Sequence, residues 1–350
     1  MRIVVTAGGT GGHVMPAVAI AQAVRDVRPD AEILFVGTTG GMERRIAHSY
    51  GLAFRGIPAL GVKGKSIANL VRALFVNTAS LARALRILAD FRPGWVVGTG
   101  GYVTGMVMLA GKALGCRLAV QEQNSVPGLT NRILAPLVDR VYLSFPDARR
   151  RFPPAKCRIV GNPLRKELLG VRRDPGADRL LVLGGSLGAT SINRAAAGAV
   201  KILRSRGILL PVTHQCGERD YGWLKGEYEG MDAEVVPFID DMAGAYSRAM
   251  LAVCRCGGIS LAELSHAGVP AIMSPYPYAA DDHQLFNGAY VADKGGGWLI
   301  LDRDLTAERL AGEIAARLAD PEGLESASTR MRELGLGTDA QAVAREITDV

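Results

Sequence analysis

The chain has 350 residues, 48% of them hydrophobic, and a formal net charge of +7. That length exceeds the roughly 250–300 residues at which one core stops growing, so two domains are expected; no apolar run approaches the ~18 residues of a membrane-spanning helix. The positive balance points to an anionic partner, whether nucleotide, phospholipid or nucleic acid. Five cysteines (Cys116, Cys157, Cys216, Cys254, Cys256) form an odd set without a C-x-x-C pair, which reads as reduced thiols and disfavours a zinc site. Residues 1–5 enter a strand at once and leave no room for a signal peptide, so a cytoplasmic protein is expected.

In chain order, a strand-like run at 3–6 is followed by a helical pattern at 17–27, then strand-like runs at 33–36, 95–97 and 118–121. A charged stretch with a proline at 165–175 reads as a linker. The same rhythm restarts at 180, with strands at 211–214, 234–237, 251–254 and 271–274. Strands alternating with helices predict parallel sheets, and the economical architecture is α/β, two Rossmann-like domains facing across a cleft. The expected domains are 1–162, with a weak C-terminal helix at 338–350 packing back on it, and 163–337.

Four glycine-rich turns sit between an apolar run and a helical one: Gly8, Gly9, Gly11 and Gly12; Gly98, Gly100 and Gly101; Gly184, Gly185 and Gly188; Gly257 and Gly258. Glycines let backbone N–H groups approach an anion, and the following helix adds about half a positive charge at its start. The first turn lacks the third glycine of a dinucleotide fingerprint, and no acid ends the second strand, which disfavours a nicotinamide enzyme. No lysine follows the loop, which excludes a Walker-type site.

Four features carry candidate chemistry. His13 follows the first loop and is read either as a general base or as a residue that caps the helix or touches a ligand. Ser260 and Glu263, three apart after Gly258, suit a diphosphate beside a ribose, with a capping box as the bland alternative. A proline-stiffened loop at 275–278 delivers Gln284 and Asn287 as amides for sugar hydroxyls. Asp281 and Asp282 are adjacent and read as solvated loop acids rather than metal ligands.

These landmarks, in order with Glu122-Gln123-Asn124, residues 160–165, Phe238-Ile239-Asp240-Asp241-Met242 and His283-Gln284, resemble nearly end to end the MurG family of bacterial UDP-N-acetylglucosamine transferases. The resemblance implies the GT-B fold and inverting transfer of GlcNAc from UDP-GlcNAc to the muramoyl 4-hydroxyl of undecaprenyl-linked lipid I, giving lipid II. Thr10, Gly11 and Gly12 would lie beside the donor sugar and diphosphate, with Asn124 facing donor sugar and acceptor. Arg165 and Ser186 would contact UDP, and the backbone of Ile239 would read uracil. Gly258, Ile259, Ser260, Leu261, Ala262 and Glu263 would bind diphosphate and ribose, and Gln284 the GlcNAc hydroxyls. His13 ranks first as base. Two departures are a glutamine at Gln121 where the family often has histidine, and a histidine at His283 where it often has glutamine. No cofactor, metal or nucleic acid is implied; the implied partners are the two substrates, an anionic membrane surface and cell-wall assembly proteins, at the cytoplasmic face of the membrane.

A departing diphosphate needs only its growing charge stabilised, so the paired carboxylates of a glycosidase are not required. Ile67, Leu70, Val71, Leu74, Phe75, Leu81, Leu85 and Leu88 recur at helical spacing among Lys63, Lys65, Arg72, Arg83, Arg86 and Arg92. This stripe reads as a membrane-surface helix or, more commonly for a single helix, as core packing. Rival readings are a transferase acting on another glycolipid, a UDP-GlcNAc epimerase, and a non-catalytic UDP-sugar-binding module.

Overall fold

In the computed structural model the described residues are 1–9, 11–59, 67–185 and 188–349, with the side chains of 67–75 left aside. The chain divides into two compact units, Met1–Lys166 with Thr338–Val350, and Glu167–Gly337. The boundary falls after Lys166 rather than after residue 162 because the intervening residues are tied into the first unit. Asn162 Nδ2 donates to Gln123 O at 3.1 Å, Leu164 N–H to Thr338 O at 2.8 Å, and Lys166 pairs with Asp26 at 2.9 Å.

The first unit comprises β1 (Arg2–Thr6), α1 (Gly11–Val27), β2 (Glu32–Thr38), α2 (Glu43–Ser49), β3 (Ala53–Ile57), α3 (Ile67–Phe91), β4 (Trp95–Gly98), α4 (Tyr102–Ala113), β5 (Arg117–Glu122), α5 (Leu129–Leu134), β6 (Arg140–Leu143), β7 (Cys157–Ile159) and β8 (Asn162–Pro163). Its parallel sheet runs in the order β3-β2-β1-β4-β5-β6-β7. The second unit comprises β9 (Arg179–Leu183), α6 (Thr190–Ser205), β10 (Val212–Gln215), α7 (Glu218–Glu227), β11 (Ala233–Val236), α8 (Met242–Ser247), β12 (Ala249–Cys254), α9 (Gly258–Ala267), β13 (Ala271–Met273), α10 (His283–Asp293), β14 (Gly297–Leu299), α11 (Ala307–Leu318) and α12 (Pro321–Glu333). Its parallel sheet repeats the pattern as β11-β10-β9-β12-β13-β14. The chain then returns through β15 (Gly337–Thr338), paired with β8, to α13 (Gln341–Thr348).

Strands buried on both faces need continuous apolar runs, and β1 supplies Ile3, Val4 and Val5 without exposed surface. On one face Val14, Ala17 and Val18 of α1 pack with Val343, Ala344 and Ile347 of α13; on the other lie Val103, Val107 and Met108 of α4. The amphipathic stripe at 67–88 belongs to α3, and its downstream part packs against protein. Ala84 and Leu88 are buried, and Leu81 and Leu85 pack against the same cluster, because residues three and four apart share the helix side turned to α4. Arg83 and Arg86 are exposed. Lys63 and Lys65 lie outside the described residues, as do the side chains of Ile67, Leu70, Val71, Arg72, Leu74 and Phe75. Among the described residues no helix is long and apolar enough to cross a membrane.

The core of the second unit contains a titratable group, His214 on β10, with no exposed surface. Its Nε2 lies 3.0 Å from Asn193 Oδ1 and its Nδ1 3.0 Å from Tyr228 Oη. Asn193 Nδ2 donates to Cys216 O and Asp220 Oδ2, so its oxygen is the end that accepts, and the imidazole proton sits on Nε2. Burial pushes the pKa down from 6.5 to about 3, against a smaller upward pull from Asp220. A depressed folded-state value means the unfolded chain takes up the proton first, so this stability is complete above pH 6.5 and is lost as pH falls toward 3. Denaturant unfolding is expected to show a loss on the order of 4 kcal/mol across that window in excess of the loss seen in His214→Gln. Equal losses in both proteins would remove His214 from the acid response.

Candidate active site

Both sheets reverse their strand order at one place, between β1 and β4 and between β9 and β12. In open α/β sheets the crevice outside the strand ends at such a switch point is where ligands bind. All four glycine turns leave from these four strand ends. In the first unit Gly8 N–H donates to Gly100 O at 3.2 Å, and a Cβ on Gly101, at φ +90°, would lie 2.3 Å from Gly8 O. In the second, a Cβ on Gly188 would lie 2.3 Å from Cys216 O. Neither position accepts a side chain, since backbone approaches backbone there.

In the second unit α9 starts at Gly258 after an N-cap Gly257 that makes no side-chain cap. The capping-box reading therefore falls: Glu263 is half-buried and accepts from Tyr246 Oη at 2.7 Å. A helix opening on glycine backbone is suited to an anion. Leu261 and Ala262 are fully buried, which leaves Ile259, Ser260 and Glu263 as the partly exposed side chains of this turn. Arg255, immediately upstream, donates to Asp302 at 2.6 Å, to Ser191 Oγ at 2.7 Å and to the carbonyls of Ser274 and Pro275, joining β12 to three neighbouring segments. Asn287, expected at a sugar, is instead buried and donates to Cys256 O at 3.1 Å, because it lies on the inner side of α10. Gln284 is half-buried, its Oε1 accepting from Tyr276 N–H at 2.9 Å, so the 275–278 loop orients its amide. Gln215 Nε2 bridges Gly185 O at 2.8 Å and Pro237 O at 3.1 Å, linking the glycine turn to the segment carrying Ile239. Asp281 and Asp282 are exposed. Ser186 lies outside the described residues. The buried thiol of Cys254 is pushed up to about 12, which suits packing rather than chemistry.

In the first unit Gly11 and Gly12 open α1, and Thr10 lies outside the described residues. His13 is half-buried, with Nδ1 3.0 Å from Gln123 Oε1 and its carbonyl accepting from Thr99 Oγ1 at 2.7 Å. Asn124 donates its N–H and Nδ2 to Glu122 Oε1 at 3.0 and 3.2 Å. The same buried carboxylate receives Gly128 N–H and Asn131 Nδ2, so four donors fix it without a cation among them. Glu43, also buried, accepts from Gly9 N–H at 2.9 Å and holds the first turn. Arg165 is half-buried just beyond β8. Gln121 has no exposed surface and donates to Asn162 Oδ1 and Ser144 Oγ. The position of this departure is interior, and its side chain is tied to Asn162 and Ser144. Sequence reading passed over the roles of Glu43, Gln123, Tyr246 and Arg255, whose partners lie 17 to 110 positions away.

The glycosyltransferase family 28 N-terminal domain matches residues 3–143 and the family 28 C-terminal domain residues 179–343. A UDP-N-acetylglucosamine--N-acetylmuramyl-(pentapeptide) pyrophosphoryl-undecaprenol N-acetylglucosamine transferase from Geotalea daltonii is 40% identical, over 99% of this chain and 97% of its own. The protein of the same description from Desulfotalea psychrophila is 42% identical, over 99% and 96%. The crystal structure of Acinetobacter baumannii MurG aligns with a TM-score of 0.81 at 29% identity, covering 100% of this chain and 99% of that one. Matched in both halves and collinear with these relatives from end to end, the chain belongs to glycosyltransferase family 28, among the MurG proteins.

Proposed function

We propose that the chain transfers GlcNAc, with inversion, from UDP-GlcNAc to the muramoyl 4-hydroxyl of undecaprenyl-diphospho-MurNAc-pentapeptide, forming lipid II for peptidoglycan. The observation that carries this reading is identity near 40%, spread over both units, with relatives described as that transferase. The second unit is the donor half. The turn beginning α9 takes the diphosphate, Glu263 the ribose, Gln284 the GlcNAc hydroxyls, and the backbone at Ile239 the uracil, with Ser186 beside the UDP. From the first unit the reading assigns Gly11, Gly12 and Thr10 to the diphosphate and sugar, and Arg165 to the UDP. Asn124 orients the acceptor, and His13 takes the proton of the attacking hydroxyl. Helix N-terminal dipoles and Arg165 stabilise the charge growing on the departing UDP, so no acid need protonate it.

The lipid acceptor calls for a peripheral attachment. The net charge of +7, exposed Arg83 and Arg86 on α3, and exposed Leu109, Leu129 and Ile133 on α4 and α5 support a membrane-facing surface on the first unit. Radiolabelled sugar transfer to lipid-linked acceptors, with UDP release followed in parallel, tests the whole reading. UDP release without an acceptor would instead indicate an epimerase, and binding without turnover a non-catalytic module.

Three outcomes are expected. Glu263→Ala costs ~2–3 kcal/mol in UDP-GlcNAc recognition and less with a 2′-deoxyribose donor, while Tyr246→Phe costs about 1 kcal/mol by loosening the carboxylate. Equal losses for both donors would remove Glu263 from the ribose. His13→Ala lowers kcat by about a hundredfold or more and leaves UDP affinity within a few-fold; an effect confined to binding would make it a ligand contact. Charge reversal of both Arg83 and Arg86 to glutamate weakens binding to anionic vesicles by at least about 1 kcal/mol per residue, and added salt releases the unmodified protein. Unchanged vesicle binding would move the membrane contact to another surface.

A further inference from the structure

We propose that Gln123 is a positioning residue that fixes the tautomer of His13, held in orientation by a buried chain of amides through Gln121 and Asn162. The inference rests on the reading of His13 as the base. Gln123 is 2% exposed, and its Nε2 lies 2.8 Å from Thr99 O, 3.1 Å from Gln121 O and 2.5 Å from Gln121 Oε1. Backbone carbonyls can only accept, so the nitrogen end of the amide must face them; a flipped amide would set oxygen against oxygen. Gln121 is fixed in turn, its Nε2 donating to Asn162 Oδ1 at 2.9 Å, and Asn162 Nδ2 donates to Gln123 O at 3.1 Å. The oxygen of Gln123 is therefore the end that meets His13 Nδ1 at 3.0 Å, and Nδ1 must be the donor. The neutral ring then carries its proton on Nδ1, and Nε2 keeps the lone pair that a base needs.

Two further contacts hold the ring. Thr99 receives the Gln123 amide on its carbonyl and donates its hydroxyl to His13 O at 2.7 Å, so one residue anchors both partners. Gly100, at φ +118°, lies against the imidazole, where a Cβ would come within 2.8 Å of Nδ1 and 2.9 Å of Cε1. Gln123 does here with a neutral amide what a carboxylate does in a Ser-His-Asp triad: it selects the tautomer without adding a charge beside the ring.

The test combines ¹⁵N NMR of the labelled histidines in the full chain with steady-state transfer from UDP-GlcNAc to a water-soluble lipid I analogue. The unmodified protein should show His13 protonated at Nδ1. Gln123→Met should populate the Nε2–H form and lower kcat about tenfold or more, with KM for UDP-GlcNAc within about twofold. The same change in a His13→Ala background should lower kcat no further, since Gln123 acts through the ring. An Nε2–H ring in the unmodified protein, or an equal cost of Gln123→Met with and without His13, would each overturn the proposal. If His13→Ala leaves kcat intact, the base reading fails by itself, and the NMR comparison still decides whether Gln123 sets the tautomer.

Discussion

Close approach of backbone to backbone beside the strand ends is the constraint on which the rest of the molecule depends. The turn after β1 meets the turn after β4 across the first switch point, and in the second unit the turn after β9 meets the end of β10; a Cβ at Gly101 or Gly188 would fall 2.3 Å from a carbonyl oxygen. Only glycine satisfies that geometry. The same glycines leave main-chain groups, rather than side chains, at the start of the next helix, the arrangement that suits an anion. Packing and binding are thus met by the same residues, and a change that relieved one would damage the other.

A second theme is the burial of carboxylates held by backbone N–H groups and side-chain amides. Glu122 and Glu43 are each 1% exposed, and the partners that fix them are N–H groups and amides rather than cations. Buried carboxylates are stabilised this way only when their donors are held in place, so they act as clamps on the loops that supply those donors. Glu122 clamps the segment from Asn124 to Asn131, and Glu43 clamps Gly9 across 34 residues of sequence. Arg255 has the corresponding role in the second unit, with a cationic hub bound to carbonyls, Ser191 and Asp302.

Much of the fold was legible in the chain because parallel strands buried on both faces must be written as unbroken apolar runs, and the glycine turns punctuate them. The strand at 3–6 and those at 95–97 and 251–254 stand out for that reason. Shorter elements such as β7 and β14 are three residues long and carry no readable period. The stripe on α3 shows a different limit: periodicity reveals that a helix has an apolar face, but not whether that face meets protein or lipid, and Leu81, Leu85 and Leu88 meet protein. At the candidate site, residues beside a glycine turn drew notice because their neighbours are distinctive, whereas Gln123 and Tyr246 did not, since each is ordinary in its own segment. Asn287 misled for the converse reason; its spacing from Gln284 suggested a shared face, yet one amide is tied to Tyr276 N–H and the other is buried against Cys256.

The proposed reaction makes two different demands on charge. Departure of a nucleoside diphosphate spreads negative charge over oxygens that need fixed dipoles, and a helix start on glycine provides them without any titrating group. In the second unit Arg255 is paired to Asp302, Glu263 is held by Tyr246, and His214 is kept neutral in the core. Attack by a sugar hydroxyl needs the opposite provision, a proton acceptor whose lone pair points one way. The first unit surrounds His13 with neutral amides, a threonine and a glycine, groups that orient the ring and compete for no proton. With its Nδ1 facing the Gln123 oxygen, the ring leaves Nε2 as the nitrogen that the proposed base needs.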